Sequence, residues 1–194
     1  MKISSLRKCC LASVVGLAGI AGLAAAQGTQ AAKTDMASIP INLTRYAGTW
    51  YQVALYPNSF QKQCLSDTSA TYRPLPAAGR IEVRNRCRVA GGAFDEALGE
   101  AKPAQDASPL NGQLKVRFAP QWLAWLPWVW GDYWVVHLAA DYRYAIVSEP
   151  QREYLWVLSR TTRLGAADEA AVRALLPALG FDMARVQWHP HTAP

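Results

Sequence analysis

From residue 48 to residue 160 the chain is a succession of eight short alternating or β-rich segments separated by turn signals, and this pattern constrains its fold more than any other feature. The segments span about 48–56, 67–74, 80–88, 93–102, 112–118, 132–139, 143–148 and 153–160. In the first, Tyr51, Val53 and Leu55 alternate with Trp50, Gln52 and Ala54. In the third, Ile81, Val83 and Asn85 alternate with Glu82, Arg84 and Arg86; in the fifth, Leu114, Val116 and Phe118 alternate with Lys115 and Arg117. A period of two with charge on one side describes a half-buried antiparallel strand. The connections at 76–79 (Pro-Ala-Ala-Gly) and 149–152 (Glu-Pro-Gln-Arg) are short and turn-like. Eight such strands in series predict an all-β fold, an up-and-down barrel or a sandwich, and exclude a parallel α/β sheet. A single helix follows. Val172, Leu175, Leu176 and Leu179 form its apolar stripe, Asp168 and Glu169 suit its positive end, Pro177 bends its last turn and Gly180 stops it. The stretch from Phe181 to Trp188 predicts one further short strand.

The 194 residues suit one domain or a small pair, and 51% hydrophobic with 18% charged residues excludes a disordered chain. Residues 1–26 read as a cleavable export signal. Lys2, Arg7 and Lys8 precede an uncharged stretch from Cys9 to Ala26 that ends in Ala24-Ala25-Ala26. Cys9 and Cys10 lie before that stretch, so no lipidation box follows it and the protein is not expected to be lipid-anchored. The leader holds three cations and no anions, so its removal takes the net charge from +6 to +3 and leaves no nucleic-acid footprint. Residues 27–40 are expected as a flexible lead, 41–189 as the folded domain and 190–194 as a tail. The expected location is the periplasm or the outer-membrane periphery of a bacterium. Cys64 and Cys87 survive processing. In an oxidising compartment they form a staple, with a reactive thiol as the alternative. A hairpin about 76–79 would place Cys87 opposite residues 66–68, close enough for a bond to Cys64.

Three groups of residues carry a resemblance. Gly48-Thr49-Trp50-Tyr51 opens the first strand, Asp141-Tyr142 separates the sixth from the seventh, and Leu155 to Arg160 closes the eighth ahead of the helix. Their order and spacing resemble the lipocalins. With Arg45-Tyr46 and Gly180-Phe181-Asp182, the text is most similar to the bacterial and apolipoprotein D-like branch, from about Leu43 to Trp188. The sequence departs from the family at Ala140, where a threonine is usual, in its cysteine pairing, and in a long fifth connection. The resemblance implies an eight-stranded antiparallel up-and-down barrel, closed at one end and open at the other, with one C-terminal helix packed outside. Gly48, Trp50, Asp141, Tyr142 and Arg160 are then fold determinants, with Arg160 lying over the Trp50 indole and bonding carbonyls of the incoming chain.

The family's alternation implies which side chains face the cavity. They are Gln52, Ala54 and Tyr56 on the first strand, Tyr72 on the second, and Val83 and Asn85 on the third. Phe118, Tyr133, Val135, His137 and Trp156 follow from the later strands. The set is apolar and aromatic with a few polar tips, as a site for a hydrophobic ligand requires. His137 alone reads better as a wall residue than as a proton carrier. The expected ligand is a fatty acid, lysophospholipid or similar lipid, carried without any cofactor.

The fifth connection stands apart. The 14 residues between Arg117 and Asp132 include no charge, and five of the eight tryptophans lie between Trp122 and Trp134. Trp122, Trp125, Trp128 and Trp130 suit peripheral contact with a membrane surface, a lid over the cavity mouth, or a homodimer interface. No Gly-x-Ser-x-Gly elbow, phosphate loop or Cys-x-x-Cys pair occurs, carboxylates fall on outward positions, and His189 and His191 lie in a proline-flanked tail. No catalytic or metal-ligating residue is therefore assigned. The alternatives to a carrier are a calycin-type enzyme acting on a lipid or isoprenoid through a reactive thiol, for which Cys87 has inward parity, or an acid–base pair within the cavity, and an envelope interaction protein using the tryptophan loop.

Overall fold

The computed structural model describes residues 36–77, 79–104 and 112–192; the expected leader, 1–26, lies outside the described residues. Among these residues nine strands form a single sheet: β1 (Gly48–Leu55), β2 (Ser66–Pro74), β3 (Ile81–Arg88), β4 (Phe94–Pro103), β5 (Gln113–Arg117), β6 (Gly131–Leu138), β7 (Tyr144–Ser148), β8 (Leu155–Ser159) and β9 (Gln187–Trp188). Strands β1 to β8 pair antiparallel with their neighbours in sequence, β8 returns to β1, and β1 also pairs with β2, so the sheet closes on itself. Closure leaves no long unpaired edge. The short β9 adds to β1 outside the ring, through Ala54 opposite Trp188 and Leu55 opposite Gln187.

Two apolar layers hold the fold. One fills the lower part of the barrel, around Trp50, Tyr46, Val135, Val147 and Leu158. The other lies between the barrel wall and α2 (Ala166–Ala178), where Val172 and Leu176 are fully buried against Ile146 and Val157. Strand β7 serves both layers and is buried at all five positions. The helix carries Asp168 and Glu169 in its first turn as expected. Asp168 also meets Arg143 at 2.7 Å, which ties the helix start to the turn between β6 and β7. Past Ala178 the chain leaves the helix through Gly180, whose φ of +83° disfavours any other residue.

Two β-bulges decide which side chains face inward. Pairing of β1 with β8 shifts between Gln52 and Ala54, and pairing of β6 with β7 shifts between Val135 and His137. An extra residue inverts the alternation beyond it. Trp50 and Gln52 face the interior, whereas Ala54 and Tyr56 turn to the helix layer. Val135 faces inward, whereas His137 pairs with Ile146 and stacks on Tyr144 on the outer side. The expectation that Ala54, Tyr56 and His137 line the cavity is therefore corrected, and the cause is an extra residue in each strand.

Beyond β9, His189 N–H donates to the Val53 carbonyl, the His191 ring lies 2.8 Å from the Gln52 carbonyl, and Thr192 bonds Asp67. The segment thus covers the backbone that the first bulge leaves unpaired. Cys64 and Cys87 are bonded, with their Cα atoms 5.4 Å apart.

Candidate functional site

The sealed end is built on the Trp50 indole. Trp50 is 0% exposed, and its Nε1–H donates to the Tyr46 carbonyl at 2.8 Å. The Arg160 guanidinium sits 3.8 Å from the indole ring centroid. It donates to the carbonyls of Thr49, Arg45, Tyr46 and Ala47 at 2.8–3.2 Å. Those carbonyls belong to a one-turn helix, α1 (Leu43–Tyr46), and to the residues leading from it into β1. Gly48 makes that entry with a φ of +91°, and a Cβ there would lie 3.5 Å from the guanidinium. At the same end, the Tyr142 hydroxyl accepts from Asn42 N–H, and Asp141 accepts from Arg143. Gly48, Trp50 and Arg160 thus meet in this plug, with Tyr142 bonded to the chain that enters it and Asp141 in the adjoining turn.

Above the plug lies a cavity of about 730 Å³, within the range of roughly 300–1,000 Å³ common for small-molecule sites. Tyr72, Val83, Val116, Tyr133 and Leu158 form its lower wall. Three hydroxyls make a chain at the floor: Tyr46 and Tyr72 each lie 2.8 Å from the Tyr133 oxygen. Burial pushes all three phenols up, Tyr72 to about 12, so they stay protonated. Three protons serve two bonds, which leaves one hydroxyl proton to spare.

Higher up, Trp156 Nε1–H donates to Gln61 Oε1 at 2.8 Å, and Gln61 Nε2 donates to Gln52 Oε1 at 2.9 Å. An indole nitrogen only donates, so the orientation of both amides follows from it. Gln52 Nε2 is left buried without a partner, and so is Asn85 Oδ1 on β3. The mouth is aromatic. Tyr154 stacks on Trp156 at 5.8 Å and meets Phe60 at 5.4 Å, with Phe118 and Trp128 on the opposite rim.

Of the residues expected in the cavity, Gln52, Tyr72, Val83, Asn85, Tyr133 and Trp156 line it. Val135 faces inward but lies in the core below it, fully buried. Phe118 is just past the end of β5, half exposed at the rim rather than on the wall. Sequence reasoning missed Tyr46, Gln61 and Tyr154. Tyr46 sits next to the Gly-x-Trp text, whereas Gln61 and Tyr154 lie in connections that alternation does not reach.

The tryptophan connection crosses the rim in two short 3₁₀ turns, Gln121–Leu123 and Pro127–Val129. Trp122, Trp125 and Trp128 are 73%, 77% and 78% exposed. Trp130 departs from the expectation: it is pinned to the outer wall between Lys102 and Arg117, and its N–H donates to the Ala124 carbonyl. Arg117 is buried there by Glu100, Gln121 and the Ala119 carbonyl. Among the described residues, no group of three His, Cys, Asp or Glu could hold a metal ion, and no helix is long and apolar enough to cross a membrane.

A family model described as a lipocalin-like domain matches residues 41–191. The chain belongs to the lipocalin family, whose members bind hydrophobic ligands. This lipocalin is 35% identical over 158 residues to temperature-induced lipocalin-1 of Arabidopsis thaliana, covering 78% of this chain and 80% of that one. It is 30% identical over 144 residues to the outer membrane lipoprotein Blc of Escherichia coli, covering 74% and 76%. With mouse apolipoprotein D it shares 28% over 154 residues, covering 75% and 74%. Among solved structures, insecticyanin from the tobacco hornworm Manduca sexta superposes with a TM-score of 0.63 at 20% identity, covering 81% of this chain and 85% of that one. The cockroach allergen Per a 4 superposes with a TM-score of 0.60 at 18% identity, covering 81% and 92%. These structures share the fold.

Proposed function

We propose that this lipocalin is an exported carrier that holds one single-chain lipid in its barrel and exchanges it at the surface of a bacterial envelope membrane. One observation carries the reading: a cavity of about 730 Å³, sealed below by Trp50 and walled by aliphatic and aromatic side chains, opens through a mouth of aromatic side chains edged by carboxylates. Each acyl methylene moved from water into such a wall stabilises the complex by about 0.8 kcal/mol. The similarity to the outer membrane lipoprotein Blc supports an envelope location. The exposed tryptophans at the mouth support contact with the lipid surface itself, because an indole favours the boundary between headgroups and acyl chains.

The carrier acts without making or breaking bonds. An enzymatic reading needs a reactive thiol or an acid–base pair within the cavity, and Cys87, bonded to Cys64, offers no free thiol. The test is native mass spectrometry of protein purified from its own cells, followed by lipid extraction and displacement of a fluorescent single-chain probe from the stripped protein. The carrier reading expects a one-to-one adduct that extracts as lipid, and saturable probe binding. A protein that comes free of lipid and leaves the probe in water ends it.

A further inference from the structure

The lining of the cavity divides by charge. Among the described residues, the tyrosine chain at the floor and Gln52 and Asn85 above it provide hydrogen bonds but no cation. Arg160 lies beneath the Trp50 ring with its donors spent on four carbonyls. Among the described residues, the one cation that reaches the cavity lining is Arg86, and it is drawn outward: it faces Glu96 at 3.4 Å and covers the Phe94 ring at 3.6 Å. Five carboxylates reach the upper lining, those of Asp95, Glu96, Asp132, Glu149 and Glu153. Lys115 pairs with Asp132 at 2.7 Å, and Glu149 is buried under backbone N–H groups of its own turn. Asp95 and Glu153 remain exposed at the rim, Asp95 with only an amide contact from Gln63.

A carboxylate headgroup entering this barrel would pass an acidic rim and then lose its hydration without meeting a cation. Burying an anion on those terms is strongly unfavourable. The two buried groups without partners ask for something else. Gln52 Nε2 is a donor and Asn85 Oδ1 an acceptor; Gln52 is only 3% exposed, and both side chains line the cavity. The spare tyrosine proton adds a second donor at the floor. An uncharged hydroxyl or amide both accepts and donates, so it matches this set.

We propose that the barrel selects single-chain lipids whose polar group is an uncharged hydroxyl or amide, and discriminates against the free fatty-acid carboxylate of the same chain. This inference rests on the carrier reading and narrows its ligand. Buried polar groups left unpaired are costly, so a ligand that satisfies them gains over one that only fills the volume.

The test displaces the fluorescent probe with three twelve-carbon ligands at pH 7.5: dodecanoate, its methyl ester and its glycerol monoester. The glycerol monoester is expected to bind about tenfold tighter than dodecanoate, with the methyl ester between them because it is uncharged but cannot donate. Asn85→Leu should shrink the gap between the two esters, whereas Gln52→Leu should weaken both, because either ester carbonyl can accept from Gln52 Nε2. The surface variant Asp95→Lys/Glu153→Lys leaves the interior intact and should strengthen dodecanoate binding several-fold, so the charge argument is tested even if an interior variant fails to fold. Dodecanoate binding as tightly as the glycerol monoester overturns the selectivity and leaves the carrier standing. Failure of all three ligands to displace the probe, in a protein with an intact thermal transition, overturns both.

Discussion

Arg160 joins three kinds of interaction at one point, and each answers a separate structural need. Its guanidinium covers the Trp50 ring, its donors close the carbonyls of the entering chain, and its closeness to Gly48 holds β1 at the start of the barrel. Arg160→Ala uncovers the indole and leaves four carbonyls short of a donor. The expected cost is about 2–4 kcal/mol, read as a fall in the urea midpoint, and Arg160→Lys should recover less than half because an ammonium cannot fork. His189 makes a second prediction. Burial, helped by neighbouring His191, lowers its pKa to about 4 from an ordinary value near 6.5. Between those values the unfolded chain binds a proton that the folded chain refuses, so stability is complete above about pH 6.5 and is lost as the pH falls towards 4. His189→Asn should flatten that part of a stability-against-pH curve. Asp67 does not blur the window, because bonds from Arg88 and Thr192 outweigh its burial and hold its carboxyl well below the usual range. At this scale the sequence was readable except at the bulges. Val135 and Val136 stand together in β6, and Val53, Ala54 and Leu55 run on without a polar residue in β1. Consecutive apolar residues on strands buried on both faces hide a change of parity, and for this reason Ala54, Tyr56 and His137 were misplaced.

Among the elements, the strands were the most legible and the connections the least. All eight main strands lie within two residues of where alternation and turn signals put them, and the helix carries the expected apolar stripe and ends before Gly180. Connections follow no period, so the place of Phe60 and Gln61 at the cavity did not follow from the sequence, although the Cys64–Cys87 disulfide that ties their loop to β3 was expected. The tryptophan connection was visible as a feature, yet its four rings play two roles. Trp130 anchors the loop, wedged against Lys102 and Arg117, so that the 3₁₀ turns hold Trp122, Trp125 and Trp128 outward. The triple variant Trp122→Ser/Trp125→Ser/Trp128→Ser should keep the thermal transition within a few degrees, since exposed side chains contribute little to stability. It should lose most of its binding to phosphatidylglycerol-containing vesicles in a flotation assay. Unchanged flotation would remove the membrane role; unchanged flotation together with a fall in oligomeric mass would assign the loop to self-association.

For the molecule as a whole, the decisive property is that one sheet separates two apolar layers, one able to admit a ligand and one closed by the helix. Adjacent residues on β8 report on them separately. Val157 is fully buried on the outer side, opposite Ala54 and beneath α2, whereas Leu158 faces inward and lines the cavity. Val157→Ala removes two methyl groups from a packed layer and should cost about 2–3 kcal/mol. The wall towards the ligand is unaltered by that change, so the probe should bind as before. Leu158→Trp does the reverse: the added ring has the cavity to enter, so stability should hold while probe binding falls at least about tenfold. The two variants also differ in ligand-linked stabilisation. Saturating ligand at about 100 times its Kd adds about 2.7 kcal/mol to a protein that binds it only when folded. That increment should survive in Val157→Ala, on a lowered baseline, and vanish in Leu158→Trp. Thermal scans with and without ligand read both quantities in one experiment. If the outer variant loses its ligand response as completely as the inner one, the helix layer is part of the binding site and the barrel wall does not separate stability from function.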